Sequence, residues 1–123
     1  MPWQSVFHAE QAIVEVTYTG HVTTTELQEA LQEIIALGRR HRTLRVLADC
    51  AALQGGHSVV DLYFLADSLK SMEEASGMKE ALLLPRSPES AQAVAFWETI
   101  CRNRGLRARA FQDRAAALAW LRE

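Results

Sequence analysis

Four residues close together in the chain carry groups capable of chemistry: the acid Asp49, the thiol Cys50, the imidazole His57 and the hydroxyl Ser58. A cysteine and a histidine within hydrogen-bond reach can act as nucleophile and base. The same residues also read as a buried cysteine, a loop-capping aspartate and an exposed histidine. Spacing alone does not set their geometry, so no catalytic residue is assigned. Ser58 has a case of its own. Ser58, Val59, Val60 and Asp61 form a box-like helix start, and a helix N-terminus has free N–H groups and a dipole that favour an anion. Gly55 and Gly56 permit close backbone approach just before it. The plainer reading is that Ser58 is only an N-cap partnered with Asp61.

Other chemistry finds less support. His8, His21 and His41 show no spacing of i and i+4, so no metal site is expected, and no cofactor is implied. Arg39, Arg40, Arg42 and Arg45, like Arg102, Arg104, Arg107 and Arg109, follow predicted helix ends, where cations complement the helix dipole. With a net charge of −2 there is no global field to draw nucleic acid.

The elements that must position these groups are legible from periodicity. Trp3 to His8 is weakly strand-like. Val14, Val16 and Tyr18 alternate with Glu15, Thr17 and Thr19, which predicts a strand with one buried and one wet face, ending at Gly20. Thr23 and Glu26 form a capping box opening a helix with Leu27, Leu31, Ile34 and Ile35 on its apolar side, expected to end near Gly38. Residues 44–49 read as a third strand. The helix after Ser58 has Leu62, Leu65, Ala66 and Leu69 as its core stripe, and Val60, Tyr63 and Phe64 as a second apolar face. Residues 81–84 form a short apolar run suited to a strand buried on both faces. Ser87 and Pro88 open a third helix with Ala93, Phe96, Trp97 and Ile100 inward. Residues 106–111 read as an edge strand with Arg107 and Arg109 outward, and Asp113 caps a last helix burying Ala117, Leu118 and Leu121.

The order β-β-α-β-α-β-α-β-α predicts a single α/β domain, with a mixed, mostly parallel five-stranded sheet and four helices. The first two strands should pair antiparallel. A length of 123 residues fits one domain across 1–123. Cys50 and Cys101 are too few and too far apart for a disulfide framework, residues 1–11 show no signal peptide, and no stretch approaches the roughly 18 apolar residues of a membrane span. The expected location is cytoplasmic.

Several pieces together resemble the SpoIIAA-like family, related in fold to the STAS domains of anti-anti-sigma factors. They are the Val14-Glu15-Val16 strand closing at Gly20, the helix start at Thr24, Glu26 and Leu27, and Val46-Leu47-Ala48-Asp49. The most distinctive is Phe111 and Asp113 followed by Ala117-Leu118-Ala119-Trp120-Leu121. In STAS proteins a strand ending in Asp leads to an Asp-Ser pair whose serine is phosphorylated by a partner kinase. The resemblance implies Ser58 as that serine, with His57 where the family has aspartate and Val59 and Val60 where it has serine or threonine and glycine. A fold relationship of the wider group to Sec14-type lipid-binding proteins implies an apolar-ligand alternative.

The leading reading is a non-enzymatic regulatory or interaction module. It would bind a protein partner through Gly55, Gly56, His57, Ser58 and Asp49, and form a homodimer through Val60, Tyr63 and Phe64. The alternatives are a carrier whose apolar pocket is lined by Tyr63, Phe64 and Met72, and a thiol enzyme at Cys50. A closed apolar cavity beside the second helix would favour the carrier. An exposed convex loop without one would favour regulation, and a Cys50–His57 bond would favour the enzyme.

Overall fold

The computed structural model describes residues 2–123. Strands β1 (Trp3–His8) and β2 (Ile13–His21) pair antiparallel, with Trp3 opposite Tyr18 and His8 opposite Ile13. Between them Gln11 N–H donates to the His8 carbonyl at 3.2 Å, and Ala12 adopts a positive φ of 56°. Helices and strands then alternate: α1 (Thr24–His41), β3 (Arg45–Gln54), α2 (Val59–Lys70), β4 (Lys79–Leu83), α3 (Pro88–Asn103), β5 (Arg107–Phe111) and α4 (Arg114–Arg122). A short 3-10 turn, Glu73–Gly77, precedes β4. Strands β2 to β5 pair in parallel, and the sheet order β1-β2-β3-β4-β5 follows the chain. The expected mixed sheet with four helices is therefore present.

Crossovers of one hand between successive neighbours place their helices on one face. Helices α1, α2 and α3 share that face, and α4 lies alone on the other against β3, β4 and β5. The period of two along each strand then splits the core. Val14, Val16, Val46, Ala48 and Leu82 join the core on the three-helix side, while Ile13, Leu47, Ala81 and Leu83 meet Ala117 and Leu121 of α4.

Each helix starts on a side-chain cap. Thr23 and Glu26 exchange both bonds of a capping box at α1, and Ser58, Ser87 and Asp113 each accept from the third residue beyond. A cap of this kind contributes about 1 kcal/mol.

Several expectations need correction. Helix α1 continues past Gly38 to His41, and the left-handed cap is Arg42 at φ 56°. Gly38 is buried within the helix because a Cβ there would stand 2.7 Å from the Thr43 carbonyl oxygen. Strand β3 runs beyond Asp49 to Gln54, and β4 begins at Lys79, not Ala81. The outer face of β2 is not simply wet, since Glu15 is buried beneath Arg114. At the far edge, Arg107 and Arg109 of β5 are exposed, as their alternation predicts.

Helix α2 departs most from expectation. Its stripe is buried, but Leu62, Leu65 and Ala66 cluster with Ile100 of α3, apart from the main core. The helix packs chiefly on α1, α3 and the 3-10 turn and stands off from the strands.

Candidate functional site

Beneath α2, where it stands off from the sheet, lies an apolar cavity of about 80 Å³. Its walls are Leu62 and Leu65 of α2, Leu27, Leu31 and Ile34 of α1, and Val94 and Trp97 of α3. Its floor is Tyr18 of β2, Ala48, Cys50 and Leu53 of β3, and Glu80 and Leu82 of β4. The small side chains of Ala48, Cys50 and Ala93 leave volume that larger residues would fill, which accounts for a void in an otherwise close-packed interior.

One rim of the cavity is the loop that precedes α2. His57 lines the cavity, and its Nε2–H donates to the Val22 carbonyl at 2.6 Å. Gly55 adopts φ +74°, and its carbonyl accepts from the Ser90 hydroxyl. Gly56 packs beside Glu89 and Ala93, where a Cβ would sit 3.6 Å from Glu89 Oε1. Ser58 Oγ accepts from Asp61 N–H at 3.1 Å, so it is the N-cap of α2. Three tethers thus hold the loop across one end of the cavity.

The predicted acid, thiol and imidazole do not form one site. Asp49 and Cys50 are consecutive in β3, so they project to opposite faces of the sheet. Asp49 accepts from its own Ala51 N–H at 3.0 Å, a local cap as the plainer reading had it. Cys50 is buried in the three-helix core, and burial pushes its thiol far above the ordinary range, with nearby Glu80 acting in the same direction. Among the described residues, no hydrogen bond joins Cys50 to His57, whose Nε2–H is committed to Val22. A thiol held protonated is a poor nucleophile.

Glu80 was not among the residues singled out by sequence. It lies at the inner face of β4, and Trp97 Nε1–H donates to its Oε1 at 3.0 Å. Burial raises its carboxyl above the ordinary carboxylate range, against the opposing effect of the Trp97 bond. Burial also pushes the Tyr18 phenol well up, with Cys50 and Glu80 adding to it. The available signal was the period of two: read back from Leu82, it puts Glu80 on the buried face.

The second apolar face of α2 is where periodicity put it. Val60 is 74 % exposed, Phe64 57 % and Tyr63 41 %, with Val59 beside them at 49 %. Tyr63 is partly engaged within the chain, edge-on to Phe96 at 6.1 Å and beneath the Arg104 guanidinium at 5.0 Å. Tyr63, Phe64 and Met72 do not line the cavity, which corrects the predicted carrier lining. Tyr63 and Phe64 point away because the cavity-facing stripe of α2 is the one holding Leu62 and Leu65, and Met72, beyond the end of α2, packs against the main core.

The remaining candidates are accounted for locally. His8 bonds to Glu15 at 2.7 Å, and His41 stacks on Phe7 with ring centroids 3.9 Å apart. Among the described residues no cluster of three metal-ligating side chains occurs, and no helix is long and apolar enough to cross a membrane. Arg39 pairs with Glu74, and Arg104 with Asp67 at 2.7 Å.

No curated protein matches the chain. A solved structure that it resembles is an uncharacterised protein of the DUF3478 family with a SpoIIAA-like fold, from Shewanella loihica PV-4. The two share 16 % identity at a TM-score of 0.63, over 97 % of this chain and 93 % of that one, a likeness of fold. The SpoIIAA-like family model matches residues 13–122, from the start of β2 to the end of α4, and the chain therefore belongs to the SpoIIAA-like family.

Proposed function

We propose that this STAS-type module is a non-enzymatic, cytoplasmic binding protein for a small apolar ligand held beneath α2. The observation that carries the reading is the apolar cavity between α2 and the sheet. Its volume of about 80 Å³ is well below the roughly 150 Å³ of an apolar cavity that admits benzene. It therefore takes a short alkyl segment as it stands, and a bulkier ligand has to displace α2. The packing of Leu62, Leu65 and Ala66 on Ile100 of α3 suits displacement of that part of α2, while Leu69 near its C-terminal end stays in the main core. Titration with xenon and n-pentane, followed by methyl NMR, tests the reading. Saturable shifts confined to Leu62, Leu65 and Leu82 are expected, and no saturable shift with either probe would overturn it.

A second reading is favoured by the outer face of the same helix. Val59, Val60 and Phe64 form an exposed apolar patch, and such patches commonly mark contact surfaces. We propose that it joins two copies of the chain or receives a regulatory protein partner, with phosphorylation of Ser58 at the head of α2 as the switch implied by the STAS resemblance. Gly55, Gly56, His57 and Ser58 would then present the binding loop. Asp49, on the α4 side of the sheet, would lie outside it. Sedimentation of the parent and of Phe64→Glu is the test. A dimer converted to a folded monomer is expected, and a monomeric parent at about 50 µM would remove the dimer. Full burial of Phe64 would contribute roughly 1.5–3 kcal/mol to such a contact.

A further inference from the structure

The cavity is not apolar throughout. Glu80 projects from β4 into it, and one carboxyl oxygen, Oε1, accepts from Trp97 Nε1–H. Among the described residues the other oxygen has no hydrogen-bond partner. Tyr18 is only 8 % exposed, and its hydroxyl likewise has no partner among the described residues. Neither oxygen is sealed off unsatisfied, since no fully enclosed side-chain polar atom lacks a partner among the described residues. Both residues line the cavity, so the unused hydrogen-bonding capacity opens onto it.

Glu80 is half-buried, so the capacity that its second oxygen and the Tyr18 hydroxyl leave unused is reachable from the cavity. The Trp97 bond uses only one of the two carboxyl oxygens. We infer that Glu80 and Tyr18 form the polar end of the cavity and select an apolar molecule that carries one uncharged hydrogen-bonding head, such as an alcohol or an amide. The inference rests on the ligand-binding reading and names the ligand chemistry of that same cavity. An uncharged head fits because neither lysine nor arginine lines the cavity, and burial raises the Glu80 carboxyl above the ordinary carboxylate range, which favours its neutral form. A protonated carboxyl and a phenol each both donate and accept, so together they satisfy both the donor and the acceptor of a hydroxyl. Trp97 orients the carboxyl by occupying Oε1, leaving the other oxygen for the ligand.

Three probes of matched length separate the possibilities: n-pentane, 1-butanol and n-butylammonium. Binding is followed by the Trp97 indole N–H resonance and the Leu62 and Leu65 methyls, in the parent and in Glu80→Leu and Tyr18→Phe. In a cavity without polar partners, burying a hydroxyl unpaired would weaken butanol about tenfold or more relative to pentane. The expected result is that butanol binds the parent at least as tightly as pentane does, and that each variant loses about tenfold for butanol while keeping pentane. Pentane binding at least tenfold tighter than butanol, or butylammonium binding tightest of the three, would overturn the selection by an uncharged head. If no probe binds, the ligand-binding reading itself falls and this inference with it. Should Glu80→Leu fail to fold, the ranking of the three probes on the parent and the Tyr18→Phe comparison still decide the matter.

Discussion

Glu15 and Arg114 lie 99 positions apart in sequence, yet two hydrogen bonds of 2.6 and 2.8 Å join the carboxylate to the guanidinium. The pair fastens the head of α4 to β2, on the side of the sheet that α4 covers alone. Its hydrogen bonds with Arg114 hold the Glu15 carboxyl below the ordinary carboxylate range, outweighing burial, and the His8 bond adds to them.

A group whose folded pKa is depressed contributes stability above its unfolded pKa and loses it as pH falls through the folded value. Arg114→Ala should therefore cost roughly 1–2 kcal/mol at neutral pH, with the half-exposed guanidinium limiting the loss. The gap between the parent and Arg114→Ala should narrow as pH falls below the ordinary carboxylate range. Urea unfolding at about pH 7 and about pH 3 measures it, and a gap of constant size would show that the ion pair does not supply the stability.

Glu80 should behave in the opposite sense. Its folded carboxyl is raised by burial, so its contribution is fully present below the unfolded pKa and is lost as pH climbs through the folded one. The groups that face it, Tyr18, Cys50 and Cys101, have their own pKa values raised by burial and stay neutral over that range. Glu80→Gln should therefore gain on the parent as pH rises, reversing the low-pH behaviour of Glu15. Thermal unfolding scanned from about pH 5 to about pH 8 reads the difference, and parallel curves would mean that the carboxyl is not buried in the folded state.

Ser58→Ala should lower stability by about 1 kcal/mol through loss of the α2 cap, while Ser58→Asp should largely restore it. An unchanged denaturant midpoint in Ser58→Ala would show that Asp61 N–H finds another acceptor. Mass spectrometry of the protein from its own host, covering the Ser58 peptide, would report separately whether the hydroxyl ever carries phosphate.

Gly38→Ala tests close packing against helix propensity. Alanine in a helix interior is ordinarily better than glycine by about 1 kcal/mol. Here its Cβ would meet the Thr43 carbonyl oxygen at 2.7 Å, and backbone cannot swing aside as a flexible side chain can. The expected outcome is a net loss of about 1–3 kcal/mol, so a stabilised variant would show that the turn after α1 yields easily.

The architecture was legible because most elements carry their own local signals. The alternation of Val14, Val16 and Tyr18, the box of Thr23 and Glu26, and the Ser87-Pro88 start each predict an element that forms. Glycine misled at α1, since Gly38 marks a close approach and the helix turns out of its path at Arg42. The site was harder to read for a different reason. Asp49, Cys50 and His57 are neighbours in sequence, but pleating sends Asp49 to one face and Cys50 to the other. Glu80 and Trp97 come together only through a crossover, and their burial depends on how far α2 stands from the sheet. That distance is a tertiary property with no local pattern. The outer face of α2 was readable because a helix has only one way to arrange Val60, Tyr63 and Phe64.

The monotonic order of the sheet also bears on how the chain acquires its structure during synthesis. Each parallel strand docks beside the one made just before it, so the three-helix side can consolidate stepwise with short-range closures. The opposite side has no such sequence. Ile13, Leu47, Ala81 and Leu83 wait for Ala117 and Leu121, and Glu15 waits for Arg114. Until α4 leaves the ribosome, the nascent domain presents a greasy sheet face with a buried-to-be carboxylate at its border, the kind of surface that chaperones hold.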